Sequence, residues 1–242
     1  MPVDSTQSLA LWIRGTRLAD SRLARVGPRF LHSLQVKSPM MTQMCTELRV
    51  RAGTEHILAP IMHTPHAVLP RLVSFAALSE HDKVVEIGCA DARILLAVAK
   101  ACGAACTGFE IDATMVRAAR QAVGAQGVRV RVEHADVFDC GGGLPACAAE
   151  GADALRWADV TCVFVYLVAT GMAKLWPWLC ERLPAGTRVV SSQYHERFLL
   201  EASLGVELEA SERLSFVDER GARQPWFLHA YRTRKYGSKP PA

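Results

Sequence analysis

The sequence predicts an α/β protein. Its core is a doubly wound, mostly parallel sheet, with an antiparallel hairpin at the C-terminal end and a helical extension at the N-terminal end. Three observations predict it. Apolar runs rich in β-branched residues alternate with helical patterns between residues 83 and 192, and that alternation builds parallel strands joined by crossover helices. The first run, Val84-Val85-Glu86-Ile87, breaks into Gly88-Cys89-Ala90-Asp91-Ala92, and a helical pattern follows at once. That order is a buried strand, a tight turn and a helix N-terminus. The last two apolar runs flank Asp218-Glu219-Arg220-Gly221, a hairpin signature.

The elements follow in order. Residues 1–40 read as an appended extension, 41–236 as the domain, and 237–242 as a tail. Thr64-Pro65 reads as a helix cap with proline at the first helical position. Its helix is expected over 66–78, with Val68, Leu69, Leu72, Val73 and Phe75 inward. Strand one is expected at 83–88 with its helix at 91–103, and strand two at 105–110 with its helix at 113–124. Met115, Val116, Ala119 and Val123 share one face of that second helix. Strand three, 128–134, alternates with period two in Val128-Arg129-Val130-Arg131-Val132, which marks it as near an edge. Residues 140–157 are rich in Gly, Ala and Cys and end in a helical stretch. Strand four, 159–166, is continuously apolar and therefore expected to be central. A helix over 170–183 and strand five over 187–192 follow. The closing strands span about 206–217 and 226–233.

Composition excludes several classes. The chain has 242 residues, half of them hydrophobic, so it can bury a sizeable core. No apolar run reaches the roughly 18 residues that a membrane-spanning helix needs. The net charge of +4 is concentrated in the tails. Six Lys/Arg against two Asp lie in residues 1–40, and four Lys/Arg with no acid lie in 232–242. The remainder holds 18 basic and 22 acidic residues, so no nucleic-acid partner is expected for the core. The eight cysteines include no CxxC pair, which reads as free thiols in a reducing compartment. Neither they nor the eight histidines show metal-ligand spacing, so no metal is expected. His63 and His66 read as capping or surface residues, and Trp157, Trp176 and Trp178 as packing.

The N-terminal segment has two readings. Arg14, Arg17, Arg22, Arg25 and Arg29 are interleaved with Leu9, Leu11, Trp12, Ile13, Leu18 and Leu23, as in a mitochondrial presequence. Gly15 and Asp20 interrupt the pattern, so a surface helix in a cytoplasmic protein is the alternative.

The turn after strand one carries the chemistry. A dinucleotide site needs G-x-G-x-x-G, and this chain offers Gly88, Ala90 and Arg93 at those positions, without the third glycine that packs helix on strand. An acid beside a pyrophosphate is repelled, so Glu86 suits a ligand carrying an ammonium group. Glu110 closes strand two and can accept from two ribose hydroxyls. Asp136 follows strand three and can accept from an exocyclic adenine amine, with Val137 and Ile111 against the ring. Three acids at successive strand ends point to one shared site for a nucleoside-like cofactor.

These residues resemble class I S-adenosylmethionine-dependent methyltransferases, over about residues 60–233, and imply their Rossmann-like fold. Glu86-x-Gly88-x-Ala90 is similar to their first motif, Glu110 to the ribose acid and Asp136 to the adenine-contacting acid. Thr64-Pro65, Asp91-Ala92-Arg93-Ile94, Val165-Tyr166-Leu167 and Gly186-Thr187-Arg188-Val189-Val190-Ser191 look like one subfamily. It contains the mitochondrial protein-lysine methyltransferases of the adenine nucleotide translocase and ATP synthase subunit c, with bacterial relatives. The resemblance implies S-adenosylmethionine at Thr64, Glu86, Ile87, Gly88, Cys89, Ala90, Glu110, Ile111, Asp136 and Val137. Members carry glycine where this chain has Ala90 and Ala92.

The [D/N]PP[Y/F] motif of amino-methylating DNA and glutamine enzymes is absent after strand four, where Tyr166 stands instead. Tyr166 is either a catalytic residue facing the transferred methyl or a core tyrosine. Lysine methylation needs a deprotonated amine, which an apolar channel near Tyr166, Gln193 and Tyr194 favours by desolvation. The expected partner is a protein with a target lysine. A small-molecule substrate, or a non-catalytic binding protein, is the alternative.

Overall fold

A computed structural model describes residues 61–140, 155–167, 169–193 and 205–234. The expected extension at 1–40, the residues on to 60, most of the Gly/Ala/Cys-rich stretch, Tyr194 and the tail lie outside the described residues.

Among the described residues, seven strands form one sheet in the order β3-β2-β1-β4-β5-β7-β6. The strands are β1 (Lys83–Ile87), β2 (Ala105–Glu110), β3 (Val130–His134), β4 (Cys162–Val165), β5 (Arg188–Ser192), β6 (Val206–Val217) and β7 (Arg223–Thr233). β1 to β5 pair in parallel, and β7 runs antiparallel to both β5 and β6. The period-two strand, β3, is indeed an edge, and the continuously apolar β4 is central and fully buried. Chain order reverses between β1 and β4, the place where open α/β sheets leave a crevice at their carboxyl ends.

The helices are α1 (Leu69–Ala76), α2 (Arg93–Cys102), α3 (Ala113–Gly124) and α4 (Ala169–Arg182). Two cores line the sheet faces. Val85, Ile87, Phe109, Val163, Val165 and Val189 point into one, where Trp157 stacks on Phe109 at 5.9 Å and meets Trp178 edge-on at 5.1 Å. Val84, Cys106, Cys162, Phe164, Val190 and Leu228 point into the other, against α1 and α2. Alternate residues of each strand therefore divide between the faces, as the pleat requires. α1 is pinned at both ends. Arg71 bonds Glu212 of β6 through Nε and Nη2 at 2.7 and 2.6 Å, and Arg188 donates to the Ala76 and Ala77 carbonyls at its C-terminus.

Two expectations are corrected. Thr64 does not cap a helix: Pro65 is extended (φ −59°, ψ 139°) and a 3-10 turn, His66–Val68, precedes α1. Pro70, in the first turn of α1, takes the place expected of Pro65. Strand four is shorter than 159–166, because Trp157–Asp159 form a 3-10 turn and pairing begins at Cys162. Beyond the end of β5 the Gln193 N–H still donates to the Phe227 carbonyl, and residues 223–226 of β7 pair with β6 alone, so the hairpin overhangs the carboxyl end of the sheet.

Candidate active site

The turn between β1 and α2 is held in an unusual shape. Gly88, Ala90 and Ala92 have φ of 75°, 47° and 61°, all in the left-handed region that glycine favours. For an alanine this conformation costs roughly 1–2 kcal/mol, so surrounding contacts must compensate at two positions. The Gly88 and Cys89 N–H groups both donate to the Phe109 carbonyl, at 2.9 and 3.0 Å. Glu110 Oε2 accepts from the Ala90 N–H at 2.9 Å, and its Oε1 accepts from Ile111 and Asp112 N–H, each at 2.8 Å. Asp91 receives the Arg93 guanidinium through Nε and Nη2.

Close approach of the turn to β2 depends on Gly108. A Cβ there would lie 2.6 Å from Cys89 Sγ and 2.8 Å from Leu95 Cδ1. Sequence reasoning missed this glycine, whose only local signal is its place inside an apolar run. A Cβ on Gly88 would instead meet nothing nearer than Leu167 Cδ2 at 3.8 Å. Space therefore exists above the turn, where its backbone is bare.

The acids are buried rather than solvated. Glu86 is 5% exposed and Glu110 6%. Burial pushes the Glu86 carboxyl well above its ordinary range, and the charges of Asp91 and Glu110 push it further. The Leu95 N–H and Arg93 pull the other way. Leu95 is in the first turn of α2, where backbone donors lack helical partners, and Ala92 offers no side-chain cap. Glu86 thus serves the helix N-terminus from the neighbouring strand. Its Oε2 is buried with no hydrogen-bond partner. Glu110 is likewise raised by burial, against the three backbone N–H bonds that favour its charge. Burial raises the Cys89 thiol well above its ordinary range, with Glu86 and Glu110 adding to it. Cys89 is therefore a packed thiol and not a nucleophile.

The remaining expected residues divide. Asp112, not among the residues expected at the site, caps α3 by accepting from the Thr114 and Met115 N–H groups. Asp136, just past β3, accepts from the Phe138 N–H at 3.0 Å, and the Ala135 N–H bonds the Glu110 carbonyl at 3.1 Å, which ties the ends of β2 and β3 together. Val137 is buried and Ile111 half-buried. Thr64 is buried at 3% exposure and meets the turn through its carbonyl, which accepts from Arg93 Nη1 at 3.0 Å. Tyr166 is half-buried, and its ring meets Trp226 edge-on at 5.2 Å; Trp226 in turn meets Phe216 at 5.9 Å. Trp226 escaped sequence reasoning because only the sheet order brings the overhanging hairpin beside β4. Among the described residues no group of His, Cys, Asp and Glu could hold a metal ion, and no helix is long and apolar enough to cross a membrane.

An orphaned buried carboxylate oxygen and a bare backbone fit a ligand with a cationic end, and acids at the ends of successive strands fit its nucleoside. These are the requirements of S-adenosylmethionine. The comparisons agree. The family described as the ANTKMT methyltransferase domain matches residues 86–197. A "Protein-lysine N-methyltransferase" of Saccharolobus islandicus is 28% identical over 141 residues, which is 57% of this chain and 78% of that protein. An RNA methyltransferase of Salinibacter ruber, solved with S-adenosyl-L-homocysteine, superposes with a TM-score of 0.54 at 26% identity. The match covers 75% of this chain and 98% of the other. The precorrin-6y C5,15-methyltransferase of Geobacter metallireducens shares the fold at 16% identity, with a TM-score of 0.51 over 73% of this chain and 91% of the other. Together with the geometry of the turn, these similarities support a class I S-adenosylmethionine-dependent methyltransferase.

Proposed function

We propose that the protein methylates the side-chain amine of a lysine in a protein substrate. The observation that carries this reading is that the family match runs through the site itself, from Glu86 past the end of β5 to residue 197. The protein-lysine methyltransferase from Saccharolobus islandicus supports the substrate class.

In this reading Glu86 Oε2 accepts from the ammonium of the methyl donor, Glu110 from its ribose hydroxyls and Asp136 from its adenine amine. Ile111 and Val137 flank the ring, and Thr64, Ile87, Gly88, Cys89 and Ala90 line the methionine end. The sulfonium supplies an activated methyl group when bound. The protein aligns the amine with it and excludes water. Around Tyr166 the surroundings are aromatic, with Trp226 and Phe216 behind its ring. Such a setting favours the neutral amine that lysine must become, and no dedicated base is required. We also assign mitochondrial import to the arginine-rich segment within 1–40, tested by uptake of the full chain into isolated mitochondria.

The substrate reading is tested by incubating the protein with methyl-labelled S-adenosylmethionine and a protein extract, then hydrolysing the products to amino acids. Label in methyl-lysine is the expected result. Label in RNA, or in a product that passes a small-pore filter, would overturn it.

A further inference from the structure

The guanidinium of Arg93 joins two separate pieces of chain. Its Nε and Nη2 bind the Asp91 carboxylate, at 2.9 Å to Oδ1 and 2.6 Å to Oδ2. Its Nη1 donates to the Thr64 carbonyl at 3.0 Å. Asp91 Oδ1 also accepts the Arg93 backbone N–H at 3.3 Å, and His63 Nδ1 lies 3.7 Å from Asp91 Oδ2. The side chains of Arg93 and Asp91 are 21% and 29% exposed, so the pair sits partly out of water, where such bonds are strongest.

The placement matters because Asp91 lies between the two left-handed alanines, Ala90 and Ala92. Alanine leaves that conformation more readily than glycine does. Glu110 holds the front of the turn through the Ala90 N–H. Within the back half, Asp91 and Arg93 supply the corresponding side-chain bonds. The same guanidinium draws residues 61–65 against the turn.

We propose that Arg93 is a positioning residue of the methyl-donor site. Through Asp91 and the Thr64 carbonyl it fastens the strap of residues 61–65 to the turn at 88–92, and so keeps the turn in its left-handed shape before the donor arrives. The proposal rests on the reading that this turn holds S-adenosylmethionine. It also explains how two alanines hold a left-handed conformation that glycine favours: the clamp holds by side-chain bonds what glycine would hold by backbone freedom. Lysine cannot replace arginine here, because a single ammonium lacks the planar fork that spans a carboxylate and a carbonyl at once.

The test compares the full-length wild type with Arg93→Lys. Calorimetry measures affinity for S-adenosylhomocysteine, and amide hydrogen exchange is followed without ligand. The variant is expected to bind about tenfold more weakly, the effect of one lost charge-assisted hydrogen bond. Exchange at Val68, whose N–H donates to the Pro65 carbonyl at 2.9 Å, is expected to accelerate, while exchange in β4 and β5 stays as in the wild type. A purely structural role would instead accelerate exchange throughout the sheet. Asp91→Asn, which keeps the guanidinium and its Thr64 bond, is expected to weaken binding less than Arg93→Lys. Wild-type affinity in Arg93→Lys, or unchanged exchange at Val68, would overturn the proposal. If the wild type itself takes up no S-adenosylhomocysteine, the cofactor reading has failed and the proposal falls with it. That failure is distinguishable, because it shows in the wild type rather than in the variant.

Discussion

Glu86 and Glu110 carry the site's electrostatics, and their surroundings give each a different expected outcome on substitution. In the unfolded chain Glu86 ionises near 4.5, and in the folded protein well above that. The folded state therefore holds the proton more tightly. Stability from Glu86 is fully present below pH 4.5 and falls as pH rises through the higher folded value, by at most about 1.4 kcal/mol per pH unit. Glu86→Gln should match the wild type in stability at acid pH and exceed it increasingly toward neutrality, as read by denaturant unfolding across pH. The same variant should bind S-adenosylmethionine more weakly, because an amide cannot neutralise an ammonium. A constant offset between the two proteins at every pH would refute the buried-charge account. Glu110→Ala should weaken cofactor binding by about 1–3 kcal/mol, since it frees the Ala90 N–H along with the ribose contacts. Unchanged affinity in that variant would remove Glu110 from the site. The three acids were visible in the sequence as strand-end residues, but the burial of Glu86 and Glu110 was not. A strand-end acid ordinarily faces water, and only the fit of the turn beneath β2 closes water out here.

The turn and β2 form one packed unit, and Gly108 is its most constrained point. Gly108→Ala places a methyl 2.6 Å from Cys89 Sγ and 2.8 Å from Leu95 Cδ1, so strand or turn must shift. The expected loss is about 1–3 kcal/mol of stability. Adding Cys89→Ala removes one of the clashing groups and should recover part of it, as a double-mutant cycle would show. Strict additivity would mean the two sites do not touch. At this scale the sequence was informative where periodicity was strong. β2, α3 and β6 have the expected bounds, 105–110, 113–124 and 206–217. It misled where one signal had two physical meanings. Thr64-Pro65 looks like a cap, yet the proline is extended, and it is the Thr64 carbonyl that makes the contact, with Arg93. β7 begins at Arg223, earlier than 226, because β6 supplies a partner for Arg223, Gln224 and Pro225 that no local pattern discloses.

The whole molecule brings distant segments to one end of the sheet. The order β3-β2-β1-β4-β5-β7-β6 sets the acidic turn, the ends of β2 and β3, Tyr166 and the overhanging hairpin along the same carboxyl edge. Alternation of strands and helices was enough to read the parallel sheet, and the final turn sequence enough to read the hairpin. The Tyr166–Trp226–Phe216 contacts were not legible, since they join β4 to β7 and β6 across β5. Trp226→Ala should leave cofactor affinity near wild type and lower methyl transfer, because it removes the support behind Tyr166 without touching the turn. Equal losses of binding and transfer would place the hairpin at the cofactor instead. The central claim is that the strained, acidic turn is built to receive S-adenosylmethionine. Its most direct test is a calorimetric titration of the full-length protein with S-adenosylmethionine: one site per chain is predicted, with affinity reduced in Glu110→Ala, and the absence of binding at millimolar cofactor would contradict the account.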